Sequence, residues 1–170
     1  MANNNKAERV GIQVVDMDVQ TLLHLLNKAY ADEWIAYYQY WLSAKLVEGP
    51  MRVEVAAELE EHAEQELSHA TRLADRIVQL GGVPILKPES WQTYAGCAYD
   101  ATKNAYVQAV LEENIKGEQC AIREYNDMLA MIGDKDPVTY DMIVAILAEE
   151  VEHEHDLARL LNSLKGIKLN

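Results

Sequence analysis

The sequence predicts an all-α fold, a four-helix bundle of two antiparallel hairpins joined by a long crossover. Three observations carry this expectation: a helix-forming composition, an apolar period of three to four residues, and breaks of very unequal length. The 170 residues suffice for one buried core without staples. They are 49% apolar and 25% charged, with only eight glycines and four prolines, and this balance favours folded helix over sheet or disorder.

Apolar periodicity divides the chain into four long segments, roughly 18–48, 51–81, 104–133 and 136–165. Each would run about 45 Å as a helix. Asp16 or Asp18 can cap the first, and Gly49-Pro50 breaks it from the second. Gly81-Gly82-Val83-Pro84 ends the second. Gly133-Asp134 and Asp136-Pro137 separate the third from the fourth, with Pro137 suited to a first helical turn. Connections this short force antiparallel neighbours. The middle connection, about 20 residues from Gly82 to near Lys103, is long enough when extended to cross the whole bundle. Residues 1–15 are expected to be a flexible tail, and 16–170 one domain.

Each long segment carries a carboxylate inside its apolar stripe. Glu33 lies among Leu22, Leu26, Ala29, Ala36, Tyr40, Ala44 and Val47. Glu66, with His69 one turn on, lies among Ala56, Leu59, Ala63, Ala70, Leu73, Ile77 and Leu80. Glu118 falls among Val107, Leu111, Ile122, Tyr125, Leu129 and Ile132, and Glu150 with His153 among Ile143, Leu147, Leu157, Leu161 and Leu164. An ionised carboxylate taken out of water costs several kcal/mol unless it is paired or bound to metal. Four together therefore call for a cation.

Register makes the same point. Glu33 and Glu66 are 33 residues apart around Gly49-Pro50, and Glu118 and Glu150 are 32 apart around Gly133-Asp134. Both hairpins repeat one plan, a lone Glu followed by Glu-x-x-His, and together they make one six-ligand site. Carboxylate oxygens can bridge two metal ions while each imidazole serves one, which suits iron best and manganese second; zinc would bind without redox chemistry. An overlapping motif, Glu152-x-x-His155, is set aside because residue 152 lies about 200° around the helix from 150. His62 and Glu58 are read as a partly exposed polar edge. Tyr40, two turns after Glu33, is a candidate to give an electron or a hydrogen bond to the site, or else a plain core tyrosine.

The formal charge of -13 opposes nucleic-acid phosphates and attracts cations. Direct DNA binding is not expected, since the amino-terminal segment offers only Lys6 and Arg9. The first residues lack the apolar core of a secretory signal and no run approaches membrane-spanning length, so a cytoplasmic protein is expected. Cys97 and Cys120 are too few and too far apart for a disulfide framework, and they form no Cys-x-x-Cys knuckle. They stand as candidates for redox chemistry.

The segments ADEWIAYYQYW, EQELSHATRLADRIVQLGGVPIL and ILAEEVEH resemble the ligand-bearing helices of the ferritin-like superfamily, particularly its bacterioferritin branch, over about residues 18–164. The resemblance implies a ferritin-like bundle with two iron ions per subunit held by Glu33, Glu66, His69, Glu118, Glu150 and His153. Bacterioferritins carry a haem-ligating methionine after the residue matching Glu66; here it is Leu67, so no haem is expected. The chain stops soon after Gly166, where 24-subunit cages add a fifth short helix, so a homododecamer like the Dps-like cages is expected. The lengthened crossover with Cys97, and Cys120 beside the Glu118 ligand, resemble the Dps-like proteins called thioferritins. In that group a cysteine pair lies near the di-iron site, which implies a redox role for Cys97 and Cys120. The expected activity is oxidation of Fe(II) by hydrogen peroxide or dioxygen, with iron storage and protection against oxidative stress. A rubrerythrin-like peroxidase that stores nothing, and a DNA-coating Dps-type protein, are the rival readings.

Overall fold

A computed structural model describes residues 10–97 and 103–166. Helices α1 (Val10–Gln13), α2 (Val19–Leu46), α3 (Arg52–Gln79), α4 (Trp91–Tyr94), α5 (Val107–Ile132) and α6 (Pro137–Gly166) follow in order, with a 3₁₀ turn at Pro88–Ser90 before α4. Helices α2 and α3 form one antiparallel hairpin and α5 and α6 the other, as the unequal breaks require. Among the described residues no helix is long and apolar enough to cross a membrane.

The turn chemistry explains the element ends. Asp18 caps α2 by accepting from Thr21 N at 2.7 Å and Thr21 Oγ1 at 2.8 Å. Gly49 has φ +108°, and a Cβ there would meet the Tyr106 ring at 2.9 Å, so both conformation and space demand glycine in the α2–α3 turn. The end of the crossover is clipped to the same turn: Glu48 N donates to Ala105 O and Val107 N to Glu48 O. At the start of α6, buried Asp136 accepts from Thr139 N and from Arg76 Nη2 of α3, tying the two hairpins together.

Two apolar clusters fill the bundle. One gathers Leu22, Leu26, Leu73, Ile77, Ile132, Ile143 and Ile146, and the other Val55, Leu59, Val107, Leu111 and Leu157. Each such side chain, fully buried, contributes about 1.5–3 kcal/mol. The intruding carboxylates lie in the layer between the clusters, so the apolar ends of the bundle offset the cost of its polar middle.

Residues 1–9 of the anticipated tail lie outside the described residues, and residues 10–15 make contacts of their own. Val10–Gln13 is helical, Asp16 N donates to Lys135 O at 2.7 Å, and Val15 packs on the Leu22 cluster. The crossover is not simply extended. Its α4 turn lies against α2 because the Trp91 ring stacks on Trp34 with centroids 5.0 Å apart, and Asp32 accepts from Gly96 N and Cys97 N.

Candidate metal centre

All six sequence-predicted ligands converge. Glu33, Glu66, His69 and Glu150 offer ligand atoms within 4.8 Å of one another, and so do Glu66, Glu118, Glu150 and His153. The two groups share Glu66 and Glu150. Their separation along α3 and α6 by three residues from each histidine puts both donors on one helix face. Glu33 and Glu118 enter at the same level from α2 and α5. All six are at most 3% exposed.

Both imidazoles turn Nδ1 inward. His69 Nδ1 lies 3.2 Å from Glu33, 3.3 Å from Glu66 and 3.1 Å from Glu150. His153 Nδ1 lies 3.3 Å from Glu66, 3.5 Å from Glu150 and 3.8 Å from Glu118. The outer nitrogens are held: His69 Nε2 meets Glu149 Oε2 at 2.6 Å and His153 Nε2 meets Gln65 Oε1 at 2.6 Å. Outer acceptors of this kind put the proton on Nε2 and leave the Nδ1 lone pair for a metal.

Two tyrosines complete the layer across the bundle. Tyr40 of α2 donates to Glu118 of α5, and Tyr125 of α5 donates to Glu33 of α2. Tyr40 thus donates to a buried carboxylate of the candidate centre and is not a plain core residue. Tyr125 was assigned to the apolar stripe, yet a signal was present: it follows Glu118 by the same seven residues that separate Tyr40 from Glu33. Glu149 and Gln65 were also missed, though each immediately precedes the glutamate of a Glu-x-x-His motif. Glu152 and His155 of the rejected motif are exposed, as helical phase required.

Charge crowding shows what the layer can accommodate. Burial, then the Glu66 and Glu150 charges, raises the Glu33 carboxyl well above the usual carboxylate range. Burial, then Glu150 and Glu66, does the same to Glu118. Burial works against ionised Glu66 too, but the close approach of the His153 and His69 imidazoles outweighs it and holds that carboxyl low. Burial likewise opposes charge on the imidazoles, yet the carboxylates of Glu150 and Glu66 beside it lift His153 to about 9, and those of Glu150, Glu33 and Glu66 lift His69 further. Protons on these groups do the neutralising that a dication would do. Glu66 Oε1, Glu118 Oε2, both Glu150 carboxylate oxygens and His153 Nδ1 are buried without a hydrogen-bond partner. Orphaned inward-facing oxygens and nitrogen in a hard, mixed donor set fit divalent metal.

The two faces of the layer differ. On the α2–α5 side a cavity of about 50 Å³ is bordered by Glu33, Tyr40, Glu118, Asn114 and Cys97, room for one or two water-sized molecules. Cys97 is joined to Cys120 in a disulfide with Cα atoms 5.9 Å apart, so the pair that the sequence left open closes the crossover onto α5 beside this cavity. On the α3–α6 side, His62 is 2% exposed, contrary to the partly exposed edge expected. Its ring is covered by Tyr40 and by His153, and α6 supplies the cover that inspection of α3 alone does not reveal. Burial, then the charge of His153, pushes this imidazole down to about 3, so it is neutral.

The chain as a whole is similar to known proteins. The model of the Ferritin-like domain family matches residues 23–167. The chain is 32% identical over 165 residues to the DNA protection during starvation protein of Pyrococcus furiosus, covering 94% of this chain and 84% of that protein. It is 29% identical over 133 residues to a bacterioferritin of Desulfovibrio desulfuricans, covering 78% and 69%. Among solved structures, the dodecameric thioferritin of Bacteroides fragilis, described as bacterioferritin-related, superposes with a TM-score of 0.90 at 42% identity, covering 93% of this chain and 95% of that one.

Proposed function

This chain belongs to the ferritin-like family, and on that footing we propose that it is a ferroxidase that oxidises Fe(II) with hydrogen peroxide or dioxygen and stores the ferric product. The observation that carries the reading is the pair of ligand groups sharing Glu66 and Glu150. Two shared carboxylates hold two ions as neighbours, and neighbours can deliver two electrons to one oxidant.

Glu33, Glu66 and His69, with Glu150, would hold one ion, and Glu118, Glu150 and His153, with Glu66, the other. Each bound Fe(II) supplies one electron, so a pair reduces one hydrogen peroxide, with two protons, to two waters and releases no hydroxyl radical. The protein's part is geometric and electrostatic. Tyr40 and Tyr125 orient the unshared carboxylates, and Glu149 and Gln65 fix both imidazoles with Nδ1 inward. The cavity on the α2–α5 side has room for a molecule the size of the oxidant beside Glu33, Tyr40 and Glu118.

By analogy with the Bacteroides fragilis protein, the chain assembles as a dodecameric cage. A formal charge of -13 per chain would draw Fe(II) toward it. Glu66→Ala and His153→Ala are expected to abolish rapid Fe(II) oxidation while the helical circular dichroism stays intact. Unchanged oxidation kinetics in both variants would sink the proposal.

The disulfide at the cavity favours a second reading, a rubrerythrin-like peroxidase in which thiols return the iron to Fe(II) and nothing accumulates. Aerobic iron loading separates the two: hundreds of ions per particle mean storage, and about two per subunit mean turnover alone. A DNA-coating role, suggested by the name of the Pyrococcus furiosus relative, has little support from so acidic a chain.

A further inference from the structure

Beyond His153, α3 and α6 bring together a cluster that the di-metal centre does not use. Glu58 and His62 stand one turn apart on α3, and Asp156 faces them from α6. Each offers one ligand atom, and the three atoms lie within 4.8 Å of one another.

His62 is the informative member. Its ring is packed 4.1 Å from the His153 ring and edge-on to Tyr40 at 5.3 Å, and the residue is 2% exposed. Nevertheless its Nδ1 has no hydrogen-bond partner, and its Nε2 is 3.4 Å from Glu58 Oε1. Leaving a buried polar atom unpaired is costly, and the ring accepts that cost at Nδ1 while Nε2 is turned toward the Glu58 carboxylate. Packing does not ask for that cost. His62 precedes Glu66 by four residues, and the residue four before Glu150 in the other hairpin is Ile146, which is fully buried in the apolar core. A histidine in place of an isoleucine, facing two carboxylates, is the signature of a ligand.

We propose that Glu58, His62 and Asp156 form a third divalent-metal site, adjoining the di-metal centre at His153 and distinct from it. One imidazole and two carboxylates suit a borderline dication such as Fe(II) or Zn(II). The Glu58 and Asp156 side chains are 30% and 29% exposed, which leaves a path from solvent and room for water ligands. Arg159 is the neighbouring cation, 3.7 Å from Asp156 with its side chain 72% exposed, a loose pair that an entering dication displaces. An ion held here is one imidazole away from the His153 position, where a dication bound for that position would wait.

The test uses the metal-free full chain and Zn(II) alone, which binds without redox turnover. Bound ions are counted by equilibrium dialysis and located by anomalous scattering. The wild type is expected to hold three per subunit, with one between Glu58, His62 and Asp156. His62→Ile, which copies Ile146, and the double variant Glu58→Gln/Asp156→Asn are each expected to hold two. The double variant changes only partly exposed side chains, so it carries the test should His62→Ile fail to fold. A wild type with no peak at this position, or both variants retaining three ions, overturns the proposal. A peak here with none between Glu66 and Glu150 supports this site and sinks the di-metal reading, so the two failures are distinguishable.

Discussion

The two halves of the candidate metal centre offer the same donor residues in different surroundings. The α2–α3 hairpin gives Glu33, Glu66 and His69, and the α5–α6 hairpin gives Glu118, Glu150 and His153. Even the crossing tyrosines correspond, Tyr40 to Glu118 and Tyr125 to Glu33. The correspondence ends at the outer nitrogens. His69 faces the charged carboxylate of Glu149, itself held by Arg72 at 3.2 Å, whereas His153 faces the neutral amide of Gln65. His62 stacks on His153, where the other half has Ile146. The repeated plan offers the same donor atoms in both halves, and the unrepeated neighbours would set how tightly each position holds a metal.

The largest expected effect tests the sharing itself. Glu66→Ala removes a carboxylate common to both positions and is expected to empty both, while Glu33→Ala and Glu118→Ala are each expected to empty one. Anomalous scattering from zinc-loaded crystals reads this directly. Equal losses in all three variants would show that the positions are not separable halves.

Acid–base behaviour sharpens the contrast next. Burial opposes charge on His153, but the Glu150 and Glu66 carboxylates close to its Nδ1 raise it from 6.5 to about 9. A raised imidazole stabilises the metal-free fold fully below pH 6.5, and that contribution is lost as pH rises through about 9. The loss is about 3 kcal/mol. His69 is raised further and keeps its proton across the same window. Imidazole NMR of the metal-free chain is expected to show His153 titrating near 9 and His69 unchanged, with chemical denaturation showing stability falling between pH 6.5 and 9. A His69 that titrates first would reverse the assignment of the halves.

Much of this centre was legible in the sequence because helices convert spacing into direction. The 3.6-residue period selected Glu150 and His153 over Glu152 and His155, and the near-equal distances around Gly49-Pro50 and Gly133-Asp134 brought four carboxylates to one level. What escaped depends on a second element. His62 looked like an edge until α6 covered it, and Tyr125 looked apolar until Glu33 of another helix met its hydroxyl. The Cys97–Cys120 bond needs the crossover to fold back through the Trp91–Trp34 stack and the Asp32 carboxylate. No period along the chain encodes that return path.

The smallest expected effect is the most specific to the comparison. Glu149 and Gln65 both precede a motif glutamate and both accept from an outer imidazole nitrogen, so exchanging them changes charge at fixed position. A carboxylate acceptor makes the opposite ring nitrogen a stronger donor to metal, and loss of such an outer partner typically costs about 10–100-fold in affinity. Amide for carboxylate keeps the hydrogen bond, so the lower end applies. Glu149→Gln is expected to weaken zinc about tenfold at the His69 position alone, and Gln65→Glu to strengthen it at the His153 position alone. Competition with a chromogenic chelator measures the affinities, and site occupancy at sub-stoichiometric zinc shows which position changed. In the double exchange the order of filling is expected to invert. If the wild-type order persists, the outer partners do not set the difference between the halves, and the asymmetry must come from the His62 side of the groove.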